Sequence, residues 1–420
     1  MTTALRVRLA STLRRPELAD AVAAAPLLDP AGPTACLGGA SGSDGLAIPV
    51  QPSATTMFGP RGACQLGAGG PLWVCDTGHH RLLGWAHPPT HDGQPADWLI
   101  GQPDFAREGR NAKGATSAAT LNVPTGIAFC RHGGGEGTDG LAVADAWNHR
   151  VLIWRHAPRA SHAVPDIVLG QADFAGDRAN RGADAPDAAS LFWPYGVQWD
   201  GARLWVADSG NRRVLMWQGL PERSGQPADL VLGQRSFDCR DENAGAGPGA
   251  TSMRWPHALA FWRDRLCVAD AGNNRIMVWD GLPQRDGAPC DHVLGQRDFV
   301  QVDNNQSLYW PNAASLNMPY GLCAAGDWLV VADTANSRLL GWHARDAGTG
   351  AAAHALSAQS DFGAKGDNRW QPAGRDSVCW PYGVSVCGRE LVVADSGNNR
   401  VLLWRLDPAL DASDPVEAYR

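Results

Sequence analysis

Three groups of side chains in this chain have types and spacings that could do chemistry. Six aspartates, Asp76, Asp145, Asp208, Asp270, Asp333 and Asp395, are each followed five residues later by an arginine. A carboxylate and a guanidinium so placed could act as an acid–base pair or lie together as an ion pair. Chemistry seldom needs six copies of one site, so the expectation is an internal pair that locks a turn. Removing one partner would strand a buried charge, at a cost of about 3–5 kcal/mol. The second group, His79 and His80, hints at a metal. Adjacent side chains point in different directions, however, and no acidic or histidine partner stands at a ligand spacing, so neither metal nor other cofactor is expected. The third group is the variable residue of a recurring Pro-x-Gly or Pro-x-Ala: Arg61, Thr125, Tyr195, His257, Tyr320 and Tyr382. If these converge, they offer hydrogen bonds and stacking surface for a ligand. The alternative is that the tyrosines pack against the tryptophans of the preceding Trp-Pro dipeptides, Trp193, Trp255 and Trp380. There is no Ser-His-Asp elbow and no phosphate-cradling glycine loop leading into a helix.

The elements that would position these groups are legible from a repeat. The phrase ADSGNRRVLMW at Asp208 returns, varied, at all six aspartates, at intervals of 69, 63, 62, 63 and 62 residues. Five of the aspartates are followed after 26 residues by a glutamine (Gln102, Gln171, Gln234, Gln296, Gln359), and nine residues later by an asparagine. Within the third unit, PYGVQW, ARLWVAD, RRVLMW and DLVLGQ are β-rich runs separated by Gly, Pro, Asn and Asp clusters. Four strands per unit and six units predict an all-β, six-bladed β-propeller. Length variation falls after each asparagine, and in 132–140 of the second unit, which marks one face as the variable one. His79 and His80 break the turn of the first unit and Trp147 replaces the glycine of the second, so these three are weaker binding candidates. Trp147 could equally cover a neighbouring blade.

The phrase D-[S/T/A]-G-N-x-R, preceded by LWVA and followed by V-L-x-W, resembles the NHL repeat, and the Pro-x-Gly opening strengthens the match. The resemblance runs from about Pro60 to Trp404, and the GQ-x-[D/S]-F segment looks like a bacterial variety of it. It implies a propeller fold but not one function, since the family holds protein-binding modules, RNA-binding propellers and a metal-dependent lyase. The basic face of the RNA-binding members is not evident here, and the histidines of the lyase do not map onto this chain.

A net charge of −7 over 420 residues argues against a phosphate-backbone partner, and no run is long and apolar enough for a membrane helix. The ten cysteines include no CxxC pair, which suggests a reduced, cytoplasmic setting. Residues 1–33 read as a partly helical N-terminal extension, 34–404 as the propeller and 405–420 as a tail. Since the sixth unit ends at Trp404 without its last strand, residues 34–38 are expected to supply it. The functional expectation is a non-enzymatic scaffold that binds a protein partner. The alternative is a hydrolase or lyase acting on a small molecule at the channel mouth.

Overall fold

The computed structural model describes residues 24–39, 51–131 and 139–412. Each repeat folds into a four-stranded antiparallel blade, and six blades surround a central channel. In the third blade Pro194–Trp199 is innermost, followed outward by Arg203–Asp208, Arg213–Gln218 and Leu230–Leu232. The second and third strands are apolar on both faces because each blade is covered by a neighbour on either side. Their residues therefore read as continuous runs instead of alternating ones. The interior is divided accordingly into six clusters, one at each blade interface. Between the third and fourth blades, for example, Trp205, Val214 and Leu232 meet Leu259, Val268 and Met277.

Residues 24–38 complete the ring. Ala35–Gly38 pairs antiparallel with Arg400–Leu403 as the outermost strand of the sixth blade. Just before it, Ala25–Pro26 runs parallel to Ala355–Leu356 along the outer edge of the fifth blade. Leu27 and Leu28 are buried in the adjoining cluster. Trp404 donates its indole N–H to the Asp29 carbonyl at 2.8 Å. The equivalent tryptophan of the third blade, Trp217, bonds Gln226 of its own unit at 3.0 Å.

This corrects the expectation of a helical extension where the structure describes it. Residues 1–23 lie outside the described residues, and 24–33 form a short strand, a bridge and a turn. Pro26, Pro30 and Pro33 deny that stretch a helix, and its leucines cover an edge that would otherwise be open. At the other end Leu406 bridges to Leu28, and Ala409–Ala412 forms one short helical turn. None of the ten cysteines is disulfide-bonded. No helix of the described residues is long and apolar enough to cross a membrane.

Candidate functional site

The repeated Asp–Arg pairs belong to a buried brace. In every blade the arginine Nε donates to the aspartate Oδ2 at 2.6–2.9 Å. The other aspartate oxygen accepts a backbone N–H from the loop that enters the blade, as Phe192 donates to Asp208 at 2.7 Å. The arginine's remaining donors tie down two inter-blade loops: Arg338 reaches the carbonyls of Phe362, Asn312 and Ser315 at 2.6, 3.1 and 2.8 Å. Each turn asparagine bonds the aspartate and exchanges amide hydrogen bonds with an asparagine of the preceding unit. Asn211 and Asn180 are such a pair, at 2.8 and 3.0 Å. Burial pushes the carboxyls of Asp208 and Asp395 up, while the arginine and amide donors oppose the shift. In the five blades that carry the turn asparagine, the aspartate, the arginine and the two asparagines are all engaged with one another or with backbone carbonyls, as in the third.

The channel mouth is different. Pro-x-Gly opens five of the innermost strands and Pro256-His257-Ala258 the fourth, and the neighbouring blade comes close: a Cβ on Gly126 would sit 2.5 Å from the Tyr195 carbonyl, and on Gly321 2.6 Å from that of Tyr382. So close an approach turns the six intervening side chains inward. Arg61, Thr125, Tyr195, His257, Tyr320 and Tyr382 all line one cavity of about 80 Å³. His257 is stacked between Tyr195 and Tyr320, with centroids at 4.7 and 4.3 Å. Tyr320 meets Tyr382 at 4.6 Å, and the Arg61 guanidinium lies 4.7 Å over the Tyr382 ring. Thr125 spends its hydroxyl on the Tyr195 carbonyl at 2.9 Å. The tyrosines thus stack on His257 and on one another, with no ring contact to Trp193, Trp255 or Trp380 among the described residues.

Burial pushes His257 down to about 4, so the imidazole is neutral at physiological pH. Its Nδ1 lies 3.0 Å from the Trp255 carbonyl, which can only accept. The proton therefore sits on Nδ1, and Nε2 keeps a free lone pair. Burial also raises the Tyr320 and Tyr382 phenols, keeping them protonated donors.

The residues that break the repeat do not join this cluster. His79 takes the asparagine's place in the first brace, with Nδ1 2.8 Å from Asp76. The partner asparagine has no counterpart there: nine residues beyond Gly39, which stands at the glutamine position, the chain has Ile48. His80 accepts the Val123 N–H at 3.1 Å, as His149 does from Trp193, so each pins the next blade with a neutral imidazole. Burial lowers both, His149 to about 4. Among the described residues no group of His, Cys, Asp and Glu could hold a metal ion. Trp147 is half exposed on the rim of a separate polar groove with Arg110, Asn122 and Asp177. It fits because Asn122 stands where the third blade has Phe192, whose ring would meet a Cβ on Gly210.

One feature was not read from the sequence. Of ten exposed large apolar side chains among the described residues, nine lie in inter-blade loops or in turns between second and third strands. Both connections leave the same ends of the strands, so the nine share the face on which the mouth opens. Trp193, Trp255 and Trp380 stand directly beside it, each a little over 40% exposed. The signal available was the Trp-Pro dipeptide, whose tryptophan is held at the surface by the proline that starts the strand.

No protein-family model matches the chain. It is 25% identical over 375 residues to the NHL repeat-containing protein 2 of Gallus gallus, covering 82% of this chain and 46% of that protein. The chain therefore spans about half the length of the curated relative it matches. Its fold is similar to a chain of Kuenenia stuttgartiensis hydrazine synthase, with a TM-score of 0.47 and 12% identity over 86% of this chain and 99% of that one. Virginiamycin B lyase from Staphylococcus aureus gives a TM-score of 0.42 and 11% identity, over 84% and 97% of the two chains. The repeat phrase, the relative and the six blades agree: this is a propeller of NHL-type repeats.

Proposed function

We propose that this NHL-type propeller is a non-enzymatic scaffold that docks a protein partner on the face around the channel mouth. The observation that carries it is that, among the described residues, nine of the ten exposed large apolar side chains lie on that face. Apolar surface collected in one place marks an interaction site, whereas scattered exposed residues do not. Tryptophan and tyrosine are also the residues that most often anchor protein interfaces. The partner is a protein and not a nucleic acid, since the net charge is −7. Nothing in the reading requires a cofactor, and it sits naturally in the cytoplasm.

The test is a triple variant, Trp193→Asn, Trp255→Asn and Trp380→Asn. Asparagine tolerates the left-handed backbone found at Trp193 and Trp380, so the melting temperature should move little. Cross-linking and mass spectrometry with the intact protein should recover a partner that the variant loses. Equal recovery by both would overturn the reading. A second reading, a hydrolase or lyase for a small molecule, is favoured by one observation: the bare Nε2 of His257 beside three phenols could take a proton. The change His257→Gln would abolish turnover if it holds, and would leave docking intact if it does not.

A further inference from the structure

Among the described residues, one charge at the channel mouth has no counter-ion. The six arginines of the braces are each matched by a carboxylate within 2.9 Å. Arg61 is not: no Asp or Glu is among the residues lining its cavity. Its neighbours are Tyr195, which lines the same cavity, and the ring of Tyr382. A ring face and a phenol soften the loss of water around a guanidinium without neutralising it. The structure therefore holds a partly buried, unpaired cation in a pocket walled by stacked rings.

We infer that the channel mouth is a binding site for one small carboxylate, held by Arg61. The fork of a guanidinium matches the two oxygens of a carboxylate, and a charge-assisted pair of this kind is strongest where water is excluded. The net charge of the site selects a monoanion. His257 is neutral and its unprotonated Nε2 would repel a second negative charge, so the single positive charge of Arg61 is all the site offers. Size points the same way. About 80 Å³ admits a carboxylate group with a few waters but falls well short of the roughly 300 Å³ of a pocket for a drug-sized ligand. The hydroxyls of Tyr320 and Tyr382, kept protonated by burial, are donors that an anionic oxygen can use. The carboxylate could belong to a free small acid or to an acidic side chain inserted from a docked protein. The site does not depend on the docking reading, since an unpaired Arg61 needs an anion in either case.

Isothermal titration at constant ionic strength tests this with two probes, sodium formate and a terminally blocked short peptide bearing one aspartate. The wild-type protein should bind formate with one-to-one stoichiometry, and Arg61→Gln should weaken it at least about tenfold. Arg61→Lys keeps the charge but loses the fork, so its affinity should also fall. Formate without the peptide would identify a free acid as the ligand, and both together an inserted side chain. Absence of formate binding to the wild type, equal affinity in either Arg61 variant, or chloride binding as tightly as formate would overturn the inference. Loss of the aromatic docking surface in the tryptophan variant should leave formate binding unchanged, which keeps the two proposals separable.

Discussion

The braces and the channel mouth are both built once per blade, yet they have diverged in opposite ways. At the brace all six positions carry the same aspartate and arginine, and the hydrogen bonds repeat to within a few tenths of an ångström. At the mouth the six equivalent positions carry arginine, threonine, histidine and three tyrosines. Each brace faces the same surroundings, so one solution serves everywhere. The mouth lies on the axis, where six side chains share one space and six copies of any large residue would collide or repel. Repetition here marks what holds the ring together, and variation marks where a ligand can be told from its competitors.

The largest effect should come from breaking the ring itself. Removing residues 24–38 takes Leu27, Leu28 and Leu37 out of the buried clusters, a loss of about 6 kcal/mol at roughly 2 kcal/mol per leucine. Chemical denaturation should show this, together with rapid proteolysis of the bared sixth blade. A truncated protein as stable as the intact one would mean that the closing strand contributes little.

Next in size is the direct contrast. Arg213→Met leaves Asp208 charged and fully buried, and should cost about 3–5 kcal/mol. Arg61→Met strands no partner and should cost less than about 1 kcal/mol. Similar thermal shifts for the two would erase the distinction between brace and mouth.

The mouth has one structural liability that the braces lack. His257 has its folded pKa depressed to about 4, below the ordinary value of 6.5. The unfolded chain therefore binds the extra proton more readily throughout that window. Stability is complete above pH 6.5, falls as the pH drops towards 4, and levels off below it, for a loss of about 3 kcal/mol. His149, also depressed to about 4, adds a slope of the same sign. Arg61, Tyr320 and Tyr382, which face His257, are each raised from ordinary values that already lie far above that range. Unfolding measured between pH 7 and 4 should be less pH-dependent in His257→Gln than in the wild type, and identical slopes would show that its burial is not the cause.

The repeat made the blades and their number readable, because a phrase that returns every 62 to 69 residues survives any local ambiguity. The six mouth residues were nameable for the same reason: Pro-x-Gly marks the start of an innermost strand. What the braces do with Gln171 and Asn180 was visible only as constant spacing. Their partners, the carbonyls of Asn148 and His149 and the amide of Asn211, include one from the following unit and become neighbours only when the ring forms. His79 was legible only as a break in the repeat and a weak binding candidate. Its meaning lies in an asparagine missing from elsewhere in the chain. The stretch 24–33 was expected to belong to a partly helical extension, because the edge it covers, at Ala355 and Leu356, lies far along the sequence.

That last pairing has a consequence for biosynthesis. Thr34 and the Leu403 it bonds are 369 residues apart, so at roughly 5–20 residues per second a ribosome needs about 20–70 s to supply the second after the first. During that interval the early segment has no sheet to join, and the nascent blades present raw edges to whatever is nearby. Whatever shields such a segment in the cell, a chaperone or its own neighbours, must release it late, since sealing can happen only after the sixth blade has left the exit tunnel.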